Sequence, residues 1–133
     1  MTKKGFTIVE LLIVISIIAL IGSLIFVQLQ QARARARDAE REQEIKALQN
    51  ALAIYVVNNK VYPVYSGSFT GTDIASNALL TGDTINQIPF DPFNNGSYQY
   101  VYNSTDGSTY IITYYLETDS IPGKNMGMQT TRP

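Results

Sequence analysis

The 133-residue chain contains neither cysteine nor histidine. No disulfide can staple the fold, and neither the usual hydrolytic triads nor zinc sites can be assembled. No phosphate-cradling glycine loop and no internal repeat occur. Beyond the first sixty residues the carboxylates Asp73, Asp83, Asp91, Asp106, Glu117 and Asp119 are scattered, with no spacing that marks a catalytic pair. Enzymatic chemistry is therefore not expected. Ten basic against eleven acidic residues give a net charge of −1, which offers no general attraction for nucleic acid or anionic lipid. Proline is absent from Phe6 to Asn58 and Gly22 is the one glycine there, so a single long helix is expected over 6–59.

What the chain does have is a long apolar run. From Leu11 to Val27 only Ser16, Gly22 and Ser23 interrupt it. As a helix, Phe6 to Val27 would span about 33 Å, enough to cross a hydrocarbon core of about 30 Å. Glu10 is the only charged side chain between Lys4 and Arg33. A charged group near the bilayer centre costs roughly 2.5–3.5 kcal/mol or more, so this carboxylate needs a partner. An ordinary signal anchor would treat Glu10 as incidental. A cleavable signal would use Lys3 and Lys4 as its basic region and Ala32-Arg33-Ala34 or Ala34-Arg35-Ala36 as its cleavage site. Against cleavage, the run is longer than the usual apolar region and carries a carboxylate at its start.

The order Lys3-Lys4-Gly5-Phe6-Thr7-Ile8-Val9-Glu10-Leu11-Leu12 resembles the processing site of type IV pilins and of the pseudopilins of type II secretion. The resemblance implies that residues 1–5 are a leader cut by a prepilin peptidase after Gly5. It also implies that Phe6 becomes an N-methylated amino terminus, and that Glu10 attracts that amine on a neighbouring subunit. Pairing a lone carboxylate with a lone amine offsets part of the cost of burying each. The implied fold is α+β and pilin-like: a long helix over 6–59, with 6–27 as the membrane-spanning and filament-core half, packed on a small antiparallel sheet within 60–133. The implied protein is a structural subunit, inserted in the bacterial cytoplasmic membrane with its head outside. Inner-membrane machinery would then polymerise it with further copies into a type IV pilus or related helical filament. The alternatives are the major pseudopilin of a type II secretion system, which would form a periplasm-spanning pseudopilus, and an anchored binding domain that never polymerises. Arg33, Arg35, Arg37 and Arg41 follow the apolar run, so the positive-inside rule alone leaves the orientation ambiguous or even reversed. The resemblance, not the charge rule, places the head outside.

Arg33 to Lys46 reads as a solvated charged surface of the helix, with Glu42 and Lys46 in the favourable i, i+4 orientation. In an assembly, its basic and acidic stripes would meet between subunits. Ile45, Leu48, Leu52, Tyr55 and Val56 form the face expected to pack on the sheet. Asn58-Asn59 and Val61-Tyr62-Pro63 should end the helix. Ser66 to Pro89 reads as a connecting loop holding one short helix, Ile74–Leu80, capped by Asp73 and closed by Gly82. The turn Asp91-Pro92-Phe93-Asn94-Asn95-Gly96 precedes the strongest hairpin, Ser97–Asn103 with Thr109–Glu117, and resembles a turn ahead of the sheet in major pseudopilins. Its tyrosines read as packing residues. The tail from Thr118 reads as irregular. No cofactor is expected. Glu117, Asp119 and Ser120 are the candidates if, as the resemblance to major pseudopilins implies, the tail loop binds calcium, although solvated loop carboxylates explain them as well.

Overall fold

The computed structural model describes residues 5–133. They form helix α1 (Ile8–Asn59), strand β1 (Tyr65–Ser68), helix α2 (Ile74–Thr81), and strands β2 (Val101–Ser104), β3 (Ile111–Leu116) and β4 (Gly127–Thr131). The chain divides into two units, the first reaching Ala34 and the second Arg35–Pro133. A long N-terminal helix with a small antiparallel sheet is the expected α+β, pilin-like architecture.

In the first unit every described residue from Gly5 through Arg33 is exposed. From Leu11 to Val27 this surface is apolar apart from Ser16, Gly22 and Ser23, the kind of surface that lipid or other helices cover. Two of its three interruptions are neutralised on the helix itself. Ser16 Oγ donates to Leu12 O at 2.7 Å, and Ser23 Oγ donates to Leu20 O at 2.7 Å. Neither hydroxyl is then left unsatisfied in an apolar medium.

In the second unit the four strands form an antiparallel meander in the order β1-β2-β3-β4. Register runs Tyr65↔Ser104 to Ser68↔Val101, Val101↔Thr113 to Asn103↔Ile111, and Ile112↔Thr131 to Leu116↔Gly127. Strand β3 alternates half-buried and buried residues along its length, so Ile112, Tyr114 and Leu116 face the core. They meet Ile45, Leu48, Ala51 and Leu52 from α1, with Phe69, Leu79 and Ile88 closing the remaining side. Each fully buried Leu or Ile contributes roughly 1.5–3 kcal/mol. The tyrosines do pack: Tyr100, Tyr102, Tyr110 and Tyr114 are buried, and Tyr102 Oη donates to Pro63 O at 2.8 Å.

Helix α1 stops where Lys60 takes a left-handed φ of 67° and its N–H donates to Val56 O at 2.8 Å, an αL cap without glycine. Just beyond, Tyr62 N–H donates to Gly107 O at 2.8 Å, tying the helix exit to the β2–β3 turn. Gly107 has φ 74°, and a Cβ there would meet Tyr62 O at 3.0 Å and Val61 Cβ at 3.2 Å. Only glycine fits. Helix α2 follows its reading closely, with Asp73 accepting from Ser76 N–H and Gly82 at the C-terminus.

The first hairpin strand, read as Ser97–Asn103, begins only at Val101 and ends at Ser104, and two further expectations fail. The segment read as loop from Ser66 includes most of β1, and the tail read as irregular ends in β4. Both are edge strands, short and rich in Gly, Ser and Thr, whose own sequence has little strand signal. Pairing with β2 and β3 creates them.

Candidate functional site

Two clusters hold the charged side chains that carry chemistry, one in each unit. The first is the start of α1. Lys3 and Lys4 lie outside the described residues. Gly5 is exposed, and Phe6 is 75% exposed just ahead of the helix. Thr7 N–H and Thr7 Oγ1 both donate to Glu10 Oε2 at 2.8 Å, while Glu10 N–H donates to Thr7 Oγ1 at 3.2 Å. This is a capping box, which satisfies amide groups that an N-terminus leaves orphaned. Glu10 therefore has a local partner that the sequence reading missed, although the T-x-x-E pattern at the mouth of an apolar helix signals it. Thr7 engages only one carboxylate oxygen. Glu10 Oε1 has no partner among the described residues, so the group keeps an acceptor for a second donor.

The second cluster overturns the reading of Arg33–Lys46 as a solvated surface. Arg33 and Arg35 are exposed, but Asp38 and Arg41 are fully buried and Arg37 is half-buried. Arg41 Nε donates to Asp91 Oδ2 at 2.6 Å and Nη2 to Asp91 Oδ1 at 3.1 Å. Its Nη1 reaches Asp38 Oδ1 at 2.9 Å and Glu117 Oε1 at 2.6 Å. Arg37 grips the same Glu117 with Nε at 2.8 Å and Nη2 at 2.5 Å. Asp38 also accepts the N–H groups of Glu117 and Thr118, at 2.9 and 2.8 Å, and the Thr118 hydroxyl at 2.7 Å. Asp91 turns the Asp-Pro-Phe segment by accepting Phe93 N–H at 2.8 Å. The Phe93 ring lies under Arg37 at 4.6 Å and the Tyr98 ring under Arg41 at 4.9 Å. Among the described residues no buried side-chain polar atom lacks a partner.

The electrostatics follow from these contacts. Burial opposes the charge of Arg41, but its bonds to Asp91 and Glu117 outweigh that and hold its pKa above the ordinary value. The hydrogen bond from Arg37, with help from Arg41 and against burial, holds Glu117 below its ordinary 4.5. Glu42 does not pair with Lys46. Lys124 Nζ donates to both its oxygens at 2.7 Å and to Tyr114 Oη at 2.5 Å, and Tyr114 Oη donates to Glu42 Oε1 at 2.5 Å. Glu44 accepts from Tyr100 Oη, and burial raises its pKa. This arrangement fastens parts of the chain together. It presents no activated nucleophile.

Comparison with known proteins divides the chain at a similar point. Residues 1–26 match the prokaryotic N-terminal methylation motif, and residues 27–127 match the type II secretion system (T2SS), protein G family. The chain is 30% identical over 123 residues to the type II secretion system core protein G of Vibrio cholerae serotype O1, covering 84% of this chain and 79% of that protein. It is 31% identical over 100 residues to the protein of the same name in Escherichia coli K12, covering 70% and 68%. The Klebsiella pneumoniae protein of that name is 26% identical over 129 residues, covering 92% and 90%. No solved structure matches the chain.

Proposed function

The chain belongs to the type II secretion system protein G family, and from that premise we propose that it is the polymerising subunit of a secretion pseudopilus. The family matches favour this reading, an alternative on the sequence alone, over the type IV pilus or related filament that the sequence reading put first. The subunit acts as a building block. A prepilin peptidase cuts after Gly5 and methylates Phe6, and the apolar half of α1 holds the product in the cytoplasmic membrane. Assembly machinery in that membrane then draws subunits into a helical filament in the periplasm, with the α1 helices packed together. Lipid tails are as apolar as the helix, so leaving the bilayer gains little by itself and must be driven.

The observation that carries this reading is Glu10. It sits alone among ionisable groups on the exposed apolar stretch, with one carboxylate oxygen held by Thr7 and the other without a partner among the described residues. The processed amine of Phe6 on a neighbouring subunit is the donor that fits it. Each new subunit would be registered by that pair. The rival reading, an anchored domain that stays monomeric, gives the carboxylate no task beyond capping.

Mass spectrometry of the mature chain from membranes tests the premise of the mechanism. An N-methylated Phe6 at the amino terminus is expected. An intact Met1 would support the monomeric anchor, and a start near Arg35 or Arg37 a removed signal; either result overturns the proposal.

A further inference from the structure

Calcium is the one ion that membership of this family raised for the tail loop, with Glu117, Asp119 and Ser120 as its candidate ligands. The donor set does not fit it. Calcium takes six to eight oxygens with lone pairs to spare. Both oxygens of Glu117 are taken by guanidinium N–H groups. Asp119 Oδ1 accepts Met126 N–H, and Ser120 Oγ lies 2.8 Å from the Thr118 hydroxyl, whose proton goes to Asp38. Among the described residues that leaves only Asp119 Oδ2 and Ser120 Oγ of the candidate ligands uncommitted, two oxygens where six to eight are needed. Among the described residues no three carboxylates are placed to share a metal. Where carboxylates do converge, the chain already supplies the cation. Asp38, Asp91 and Glu117 surround the Arg41 guanidinium, and Glu42 surrounds the Lys124 ammonium with both oxygens.

We infer that the loop following β3 is closed by two cations of the chain itself, Arg41 at its start and Lys124 near its end, so the folded head requires no divalent metal. The loop leaves β3 at Glu117, where Asp38 and the two arginines hold it, and Lys124 returns it to α1 through Glu42 before β4 begins. To gain any carboxylate beyond Asp119, a divalent ion brought to this loop would have to displace a guanidinium or an ammonium that is already bonded. The ion pairs fix the loop at two points. Unlike a metal, they cannot be removed by a chelator.

Thermal unfolding of the full chain in detergent, with calcium chloride and then with EGTA, gives the first measurement. The two curves should superimpose, and calorimetric titration with calcium should show no saturable heat. Lys124→Met should lower the midpoint with no recovery on adding calcium, while Lys124→Arg keeps most of it. A calcium-dependent rise in the wild-type midpoint, saturable calcium binding abolished by Asp119→Asn, or a Lys124→Met protein as stable as wild type would each overturn the inference. Should Lys124→Met not fold, the wild-type titration and Asp119→Asn still decide.

Discussion

Arg41 and Asp91, fifty residues apart, form a two-pronged ion pair at 2.6 and 3.1 Å with neither side chain exposed to solvent. The pair joins the long helix to the turn ahead of the sheet, and Asp38 and Glu117 complete the same cluster. A buried cation in such company is held by geometry. Its removal is costly because the carboxylates stay behind.

Replacing Arg41 by Met should therefore destabilise the head by about 3–5 kcal/mol, the usual penalty for stranding a buried partner. Arg41→Lys should fall between, since an ammonium cannot make the forked contact with Asp91. Urea unfolding of the full chain in detergent measures both. A Met variant within experimental error of wild type would mean that the cluster contributes nothing net.

Glu117 gives a pH dependence of known sign. Its folded pKa lies below the ordinary 4.5, so its stabilisation is present above that value and is lost as the pH falls through the folded pKa. The unfolding midpoint should drop in acid, and Glu117→Gln should flatten that part of the profile while lowering stability at neutral pH. Midpoints measured across an acid series in both proteins check this.

Glu44 has the opposite sign. Burial raises its folded pKa above 4.5, against the hydrogen bond from Tyr100, so the fold loses stability as the pH rises through that raised value. Glu44→Gln keeps an acceptor for Tyr100 and removes the charge. It should raise the midpoint at neutral pH and leave it unchanged in strong acid. A lower midpoint at neutral pH would show that the charge itself is needed.

At Glu10, charge and capping can be separated. Glutamine also closes a capping box, so Glu10→Gln keeps the helix start while removing the carboxylate. Both Glu10→Gln and Glu10→Ala should give processed, stable protein that assembles poorly. Thr7→Ala, which loses the cap alone, should cost about 1 kcal/mol of helix stability. Filament yield from gently lysed cells distinguishes them. Wild-type yield from Glu10→Gln would leave only the capping role.

Much of this protein is legible along the chain because it depends on neighbours in sequence. The apolar stretch, the lone Glu10, the helix end at Asn59 and the cap at Asp73 each follow from spacing within a turn or two. The Ile45, Leu48 and Leu52 face was readable for the same reason, since a period near 3.6 marks one side of a helix.

Local spacing places Arg33, Arg37 and Arg41 on one face but cannot say which of them is buried. That depends on where Asp91 and Glu117 arrive, fifty and seventy-six residues away from Arg41. A helix segment rich in both signs looks solvated until partners of opposite charge cover it. Strands β1 and β4 likewise exist because β2 and β3 offer them backbone partners. Sequence alone determined that a lone carboxylate opens an apolar helix. Only the tertiary structure decided which charges leave water, because burying a charge is tolerable only where an opposite one has been brought to meet it.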